Sequence, residues 1–310
     1  MWPFSSYPER SPSDVQHQTY DYIIVGGGTA GCVVASRLSE DLDCSVLIID
    51  KGHAKDDIVS HIPLMSQNMS LDHRMQLQGN LWSEPVLSAK ERRNQLWGVE
   101  GLGGASRVNG MIWTRGFPGD YAAWSEMGLQ DWAYEKLESY FRVTQVADHS
   151  LRVKGLLSYG DSWSPFVWTG HLRNAAHELG LPLGHDVNNP DAPSMGFFDL
   201  DTAIDAHRNR ISAFSSYLSK SKALQRRDRL TICTGAIATR LETAVEAGIV
   251  TGVHITPCKA PLCDILVKAR REVIICSGAL CTPQLLMLSG IGPGESSRNW
   301  EYLSSRSCQQ

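Results

Sequence analysis

The chain lacks the markers of several large functional classes. No apolar run reaches the roughly 18 residues of a membrane-spanning helix. Its first residues, MWPFSSYPERSPSDVQHQTY, lack the basic end and apolar centre of a signal peptide, so a cytoplasmic location is expected. There is no G-x-x-x-x-G-K-[ST] loop, no H-E-x-x-H helix and no G-x-S-x-G elbow. P-loop phosphoryl transfer, zinc hydrolysis and serine-esterase chemistry therefore lack their usual supports. An excess of positive charge is also missing: 29 Lys and Arg face 33 Asp and Glu, and the basic residues are dispersed. Neither a nucleic-acid partner nor a polybasic membrane anchor is expected. Eight cysteines in 310 residues are too few and too scattered for a disulfide framework. Cys32, Cys44 and Cys276 sit in apolar segments and read as buried thiols. Cys258, Cys263, Cys276 and Cys281 can be drawn as two C-x4-C pairs. Structural zinc sites favour C-x2-4-C knuckles on tight turns, whereas Cys276 is expected to end a strand and Cys281 to begin a helix, so no metal is assigned.

What is present is an ordinary globular balance, 42% hydrophobic and 20% charged, with room for two domains. Residues 20–50, TYDYIIVGGGTAGCVVASRLSEDLDCSVLIID, predict a strand at Tyr22–Val25, a glycine turn, a helix at Ala30–Leu38 and a parallel strand at Val46–Ile49. Gly26, Gly28 and Gly31 fit G-x-G-x-x-G. The first allows the tight turn, the second lets a pyrophosphate approach the backbone, and the third packs helix on strand. Asp50 follows Gly31 by 19 residues, the spacing at which a carboxylate meets the ribose hydroxyls of an ADP moiety. The fold class is α/β and the ligand class is a dinucleotide.

Along the rest of the chain, residues 1–19 are polar and proline-spotted and are expected to form a loose arm. Residues 51–85 read as loops and short helices over the nucleotide site. The cluster GVEGLGGASRVNG, residues 98–110, suggests backbone held close to a flat ligand with few side chains in the way. Helices are expected at Tyr121–Ala147, broken at Gly128, at Phe166–Leu179 and at Ser212–Leu224. His171 and His177, six apart, do not share a face and read as surface residues. Residues 151–225 look like an insertion. Strands are expected at Leu230–Cys233, Ile237–Leu241, Val250–Ile255, Ile265–Val267 and Val273–Cys276. Thr282-Pro283 would then start a helix Gln284–Leu288, presenting its N-terminus to a ligand.

Three segments together resemble one family, the glucose-methanol-choline oxidoreductases, over nearly the whole chain. YDYIIVGGGTAGCVVASRL is similar to the family's ADP-binding start, with Asp50 where glutamate is usual. GLGGASRVNGMIWTRGFPGDYAAW, residues 101–124, resembles the first family signature, and GALCTPQLLMLSGIG, residues 278–292, fits the second. The resemblance implies a Rossmann-like FAD-binding domain with an incomplete α+β substrate domain, FAD as cofactor, and oxidation of a small-molecule alcohol. The implied boundaries are an arm at 1–19, the FAD-binding domain at 20–150 and 226–293, a substrate-domain insertion at 151–225 and an irregular tail at 294–310. It places Thr29 and Ala30 beside the glycines at the pyrophosphate, and Asp50 with Lys51 at the adenosine ribose. Asn109, Gly110, Met111 and Ile112 would meet the flavin ring system and Ile237 the adenine through its backbone. Trp97 stands in a stretch that often carries a basic residue and a glycine. Val99, Glu100 and Ala105 depart from the commoner residues of the first signature.

Family members generally run to well over five hundred residues, and their C-terminal portion supplies a catalytic histidine paired with histidine or asparagine. All ten histidines here lie before Pro293, so no catalytic residue is assigned. The leading expectation is an FAD-dependent alcohol oxidoreductase, shortened relative to the family, with a role in secondary-metabolite biosynthesis as in fungal relatives. The alternatives are a catalytically inactive flavin-binding remnant, one half of a split enzyme, or a non-redox cyclase on the same scaffold. Apolar surface left by the missing portion would favour self-association.

Overall fold

A computed structural model describes residues 6–55, 58–63, 81–96, 98–146, 168–184, 186–198, 200–205, 207–244, 248–259 and 263–293. The elements, in chain order, begin with β1 (Glu9–Arg10), β2 (Thr19–Val25), α1 (Thr29–Leu38), β3 (Val46–Asp50), α2 (Ile58–His61), β4 (Leu81–Trp82) and β5 (Gln95–Leu96). There follow β6 (Ile112–Trp113), α3 (Pro118–Glu126), α4 (Tyr134–Val146), α5 (Trp168–Glu178), β7 (Leu183–Gly184), β8 (Phe197–Phe198) and β9 (Asp201–Thr202). The last are α6 (Ala213–Tyr217), α7 (Lys220–Gln225), β10 (Leu230–Thr234), β11 (Ala236–Ala244), β12 (Ile249–Pro257), β13 (Ile265–Ile275) and α8 (Gly278–Leu288). Among the described residues no helix is long and apolar enough to cross a membrane.

The chain divides into two compact units, residues 1–60, 68–108 and 212–310 in the first and residues 61–67 and 109–211 in the second. The insertion expected at 151–225 overlaps the second unit, which ends at residue 211. The first unit is built on a seven-stranded sheet in the order β1-β10-β3-β2-β13-β12-β11. Pairing is parallel from β1 to β13 and antiparallel between β13, β12 and β11. Continuous apolar runs suit strands covered on both faces, and the period of two sorts their side chains. Ile23, Val25, Leu47 and Ile49 enter one core with Leu285 of α8, whereas Ile24, Val46 and Ile48 enter another with Cys32 and Ala35 of α1 and Phe214 of α6. Helices on both faces of a mainly parallel sheet make the α/β architecture expected.

Several local expectations are corrected. Residues 7–19 are not a loose arm: Val15 is fully buried, β1 pairs with β10, and the Tyr7 hydroxyl donates to the Leu218 carbonyl at 2.8 Å. The two strands expected at Ile265–Val267 and Val273–Cys276 are one, β13. Its first half pairs antiparallel with β12 and its second half parallel with β2, with a bulge between Ala269 and Glu272. The polar stretch KARRE stays in the strand because the bulge lets Arg270 reach Asp21, Nε to Oδ1 at 2.8 Å and Nη2 to Oδ2 at 3.2 Å. Ser45 adds a backbone and a hydroxyl donor to Asp21 Oδ2, both at 2.8 Å. Arg270 first and Ser45 second hold the Asp21 carboxyl well below the usual carboxylate range.

The helix expected at Ser212–Leu224 is two, α6 and α7, because Ser212 and Ser219 each cap a separate start, accepting from Ser215 N and Lys222 N. Helix α8 starts at Gly278, so Pro283 lies inside it rather than at its first turn. In the second unit, Gly128 at φ 96° separates α3 from α4 as expected. Tyr121, Trp124, Trp132, Tyr134 and Phe141 join these helices by ring contacts of 5.4–5.9 Å, mostly edge-on or tilted. Ala147, Phe166 and the expected tail at 294–310 lie outside the described residues.

Candidate functional site

The turn between β2 and α1 is shaped by close backbone approaches. Gly26 has φ 101°, and a Cβ there would stand 2.5 Å from the Cys276 carbonyl oxygen. A Cβ on Gly31 would collide with the Gly26 carbonyl oxygen, so helix and turn can meet only at glycine. Gly28 is different. It is extended, at φ −70° and ψ −161°, and a Cβ there would meet nothing within 4 Å. Its freedom from protein neighbours leaves room at the N-terminus of α1, where Thr29 and Ala30 are exposed and no side chain caps the helix. Helix N-terminus, open glycine and backbone donors are a combination chemically suited to an anion.

The second glycine cluster serves the first. Gly103 N donates to the Gly27 carbonyl at 2.8 Å, and a Cβ on Gly104 would stand 2.8 Å from Gly28 Cα. The Thr29 hydroxyl donates to the Gly103 carbonyl at 3.3 Å and accepts from Ser106 N at 3.2 Å. Two backbone loops thus lie against each other, and this contact leaves no room for a side chain at Gly104.

Asp50 ends β3 beneath this turn. Its Oδ2 accepts from Gly27 N at 2.7 Å and its Oδ1 from Gly52 N at 2.8 Å. Burial pushes its carboxyl up to about 6, with bonds from Gly27, Gly52 and Gly101 opposing and the Glu100 carboxylate reinforcing. Three amide bonds on about four acceptor positions leave the carboxylate one position for a hydroxyl. Lys51 is held by Glu100, Nζ to Oε1 at 2.5 Å, with the Glu100 side chain buried. Glu100 is the residue that sequence reasoning missed. It registered only as a departure from a signature, because its partner lies 49 positions away.

A cavity of about 250 Å³ gathers Gly26, Asp50, Lys51, Glu100 and Ile237, with Gln284 and Leu288 of α8. Four of the predicted residues thus share one lining. Ile237 is exposed on β11, the strand at the edge of the sheet, where one side of the backbone has no neighbouring strand. Trp97 lies outside the described residues.

Asn109, Gly110, Met111 and Ile112 belong to the second unit. Asn109, Gly110 and Ile112 are exposed and Met111 is buried. Met111 takes φ 62°, a left-handed conformation costly for a side chain of its size. Its N–H donates to Asn109 Oδ1 at 3.0 Å and its carbonyl accepts from Ala203 N at 2.8 Å. Ile112 and Trp113 then form β6, paired antiparallel with β9. Asn188 fixes the next residues, accepting from Arg115 N at 2.7 Å and donating to Asp201 Oδ2 at 3.0 Å.

The family model described as GMC oxidoreductase matches residues 20–302. An oxygen-dependent choline dehydrogenase from Burkholderia thailandensis is 34% identical over 292 residues, covering 89% of this chain and 48% of that protein. One from Proteus mirabilis is 32% identical over 293 residues, covering 88% and 49%. Among solved structures, pyridoxine 4-oxidase from Mesorbium loti shares 27% identity at a TM-score of 0.72, over 90% of this chain and 53% of that one. A variant of the Aspergillus oryzae formate oxidase, studied for its FAD modification, shares the fold at 24% identity and a TM-score of 0.69, over 91% and 50%. The chain spans about half the length of the curated relatives it matches.

Proposed function

The chain belongs to the GMC oxidoreductase family, whose cofactor is FAD, and from that premise we propose that it forms the FAD-holding portion of an enzyme that oxidises a small alcohol. The observation that carries the proposal is the joint placement of an open Gly28 at the N-terminus of α1 and a cavity lined by Gly26, Asp50, Lys51 and Ile237. The residues present fit the cofactor: a cradle that a Cβ at Gly28 would fill, backbone donors for a pyrophosphate, and an acid with a spare acceptor position for ribose. Bound there, FAD would supply the hydride acceptor that protein side chains cannot provide.

The chain's own residues bind and orient. The amides of Thr29 and Ala30 face the phosphates, and Asp50 takes the ribose hydroxyls. Lys51, neutralised by Glu100, closes the side of the pocket, and the Ile237 backbone takes the adenine edge. Asn109 to Ile112 meet the flavin ring by family resemblance. The relatives' names point to choline-like alcohols as the first substrates to try. A part in secondary metabolism, drawn from the family resemblance, and a cytoplasmic location belong to the same proposal; metabolite profiling of a deletion strain and fractionation test them.

The direct test is the visible spectrum and ligand mass of the purified chain after incubation with FAD. Retained FAD with a shifted flavin band supports the proposal, and a colourless chain that retains none contradicts it.

A further inference from the structure

Arg210 is almost wholly buried in the second unit. Its Nη1 donates to Asn109 Oδ1 at 3.0 Å and its Nη2 to the Asn109 carbonyl at 2.8 Å, with Nη2 also 3.4 Å from the Pro63 carbonyl. Its own N–H donates to the His61 carbonyl at 2.7 Å, and a β-bridge joins it to Ile204, next to the residue whose N–H holds the Met111 carbonyl. Asn109 Oδ1 therefore takes two donors, Arg210 and Met111 N. Two donors at one atom assign it as the oxygen, so the exposed carboxamide presents its NH2 elsewhere as a donor. A guanidinium is suited to this because its planar fork spans side-chain and backbone oxygens of one residue, which a single ammonium does not. Burial pulls Arg210 down to about 10, still cationic at neutral pH.

We propose that Arg210 is a positioning residue: its fork sets the Asn109 carboxamide and, through it, the left-handed turn at Met111 in the shape that residues 109–112 offer to the flavin ring. This rests on the functional reading above. A left-handed Met111 stays populated only while surrounding bonds over-determine it. The turn is then ready before the cofactor arrives, and binding does not have to order it.

The experiment compares the wild-type chain with Arg210→Lys and Asn109→Ala, following hydrogen exchange at the Met111 amide and the affinities for FAD and for ADP. Arg210→Lys should speed Met111 exchange and weaken FAD by about tenfold, the effect of losing one charge-assisted bond, while ADP affinity stays unchanged. The double variant should bind FAD no more weakly than Asn109→Ala alone, since the two act as one unit. Unchanged Met111 exchange and FAD affinity in Arg210→Lys would overturn the proposal, as would equal losses of ADP and FAD. Should Arg210→Lys fail to fold, Asn109→Ala decides: unchanged Met111 exchange there also overturns it. A wild-type chain that binds no FAD refutes the functional reading, while Met111 exchange still judges the clamp.

Discussion

Asp50 is asked to accept hydrogen bonds as a carboxylate in a place where burial favours its protonated form. The sign follows from linkage. With its native pKa raised from 3.8 to about 6, the folded chain binds more protons than the unfolded one in that window. The stability this group contributes is complete below about pH 4 and is lost as pH rises through 6. The stability of the wild type relative to Asp50→Asn should therefore fall between those limits, by about 3 kcal/mol, seen as a falling relative Tm. Parallel Tm curves would show that the carboxyl is not perturbed. Gly28 gives the complementary prediction. Its backbone is extended and its Cβ direction is open, so Gly28→Val should keep the wild-type Tm. The same side chain would occupy the phosphate position, so affinity for ADP should fall by at least about tenfold in calorimetric titration.

At the scale of elements, the contact between α1 and the glycine turn tolerates no added atom. Gly31→Ala places a Cβ against the Gly26 carbonyl oxygen, and backbone on both sides leaves nothing flexible to move. Overpacking of this kind should cost about 2 kcal/mol, read from the urea midpoint. The contrast between Gly28 and Gly31, two positions of one motif, separates a ligand glycine from a packing glycine. Asp21 joins β2 to the bulge of β13 and to Ser45 before β3. Its depressed carboxyl means that this stability is present above about pH 4 and lost as pH falls, so Asp21→Asn should lessen the loss of Tm in acid.

The βαβ unit was legible because apolar runs, glycine spacing and the acid at β3 are local and agree with one another. What was not legible depends on distant partners. KARRE within β13 reads as a gap between two strands until Asp21 and the Tyr22 ring, 5.6 Å from the Arg271 guanidinium, receive its charges. Residues 212–224 read as one amphipathic helix because periodicity does not show which of Ser212 and Ser219 will cap. In the site, Gly26, Gly28, Gly31 and Asp50 announced themselves by spacing. Glu100 and Arg210 did not, since their meaning lies in Lys51 and Asn109, 49 and 101 positions away.

For the whole molecule, family membership and the joined cavity make cofactor binding the central claim, and it is separable from turnover. The chain spans about half of its curated relatives, and none of its ten histidines is assigned as catalytic base. Oxidation of choline-like alcohols is thus a proposal, and the residues proposed to hold the ADP half of the cofactor lie in the first unit. The most direct measurement is a fluorescence titration of the 310-residue chain with FAD, run beside Gly28→Val. Saturable one-to-one binding that competing ADP displaces and Gly28→Val weakens is the predicted result. No saturable binding by the wild type, or equal binding by wild type and Gly28→Val, would contradict it.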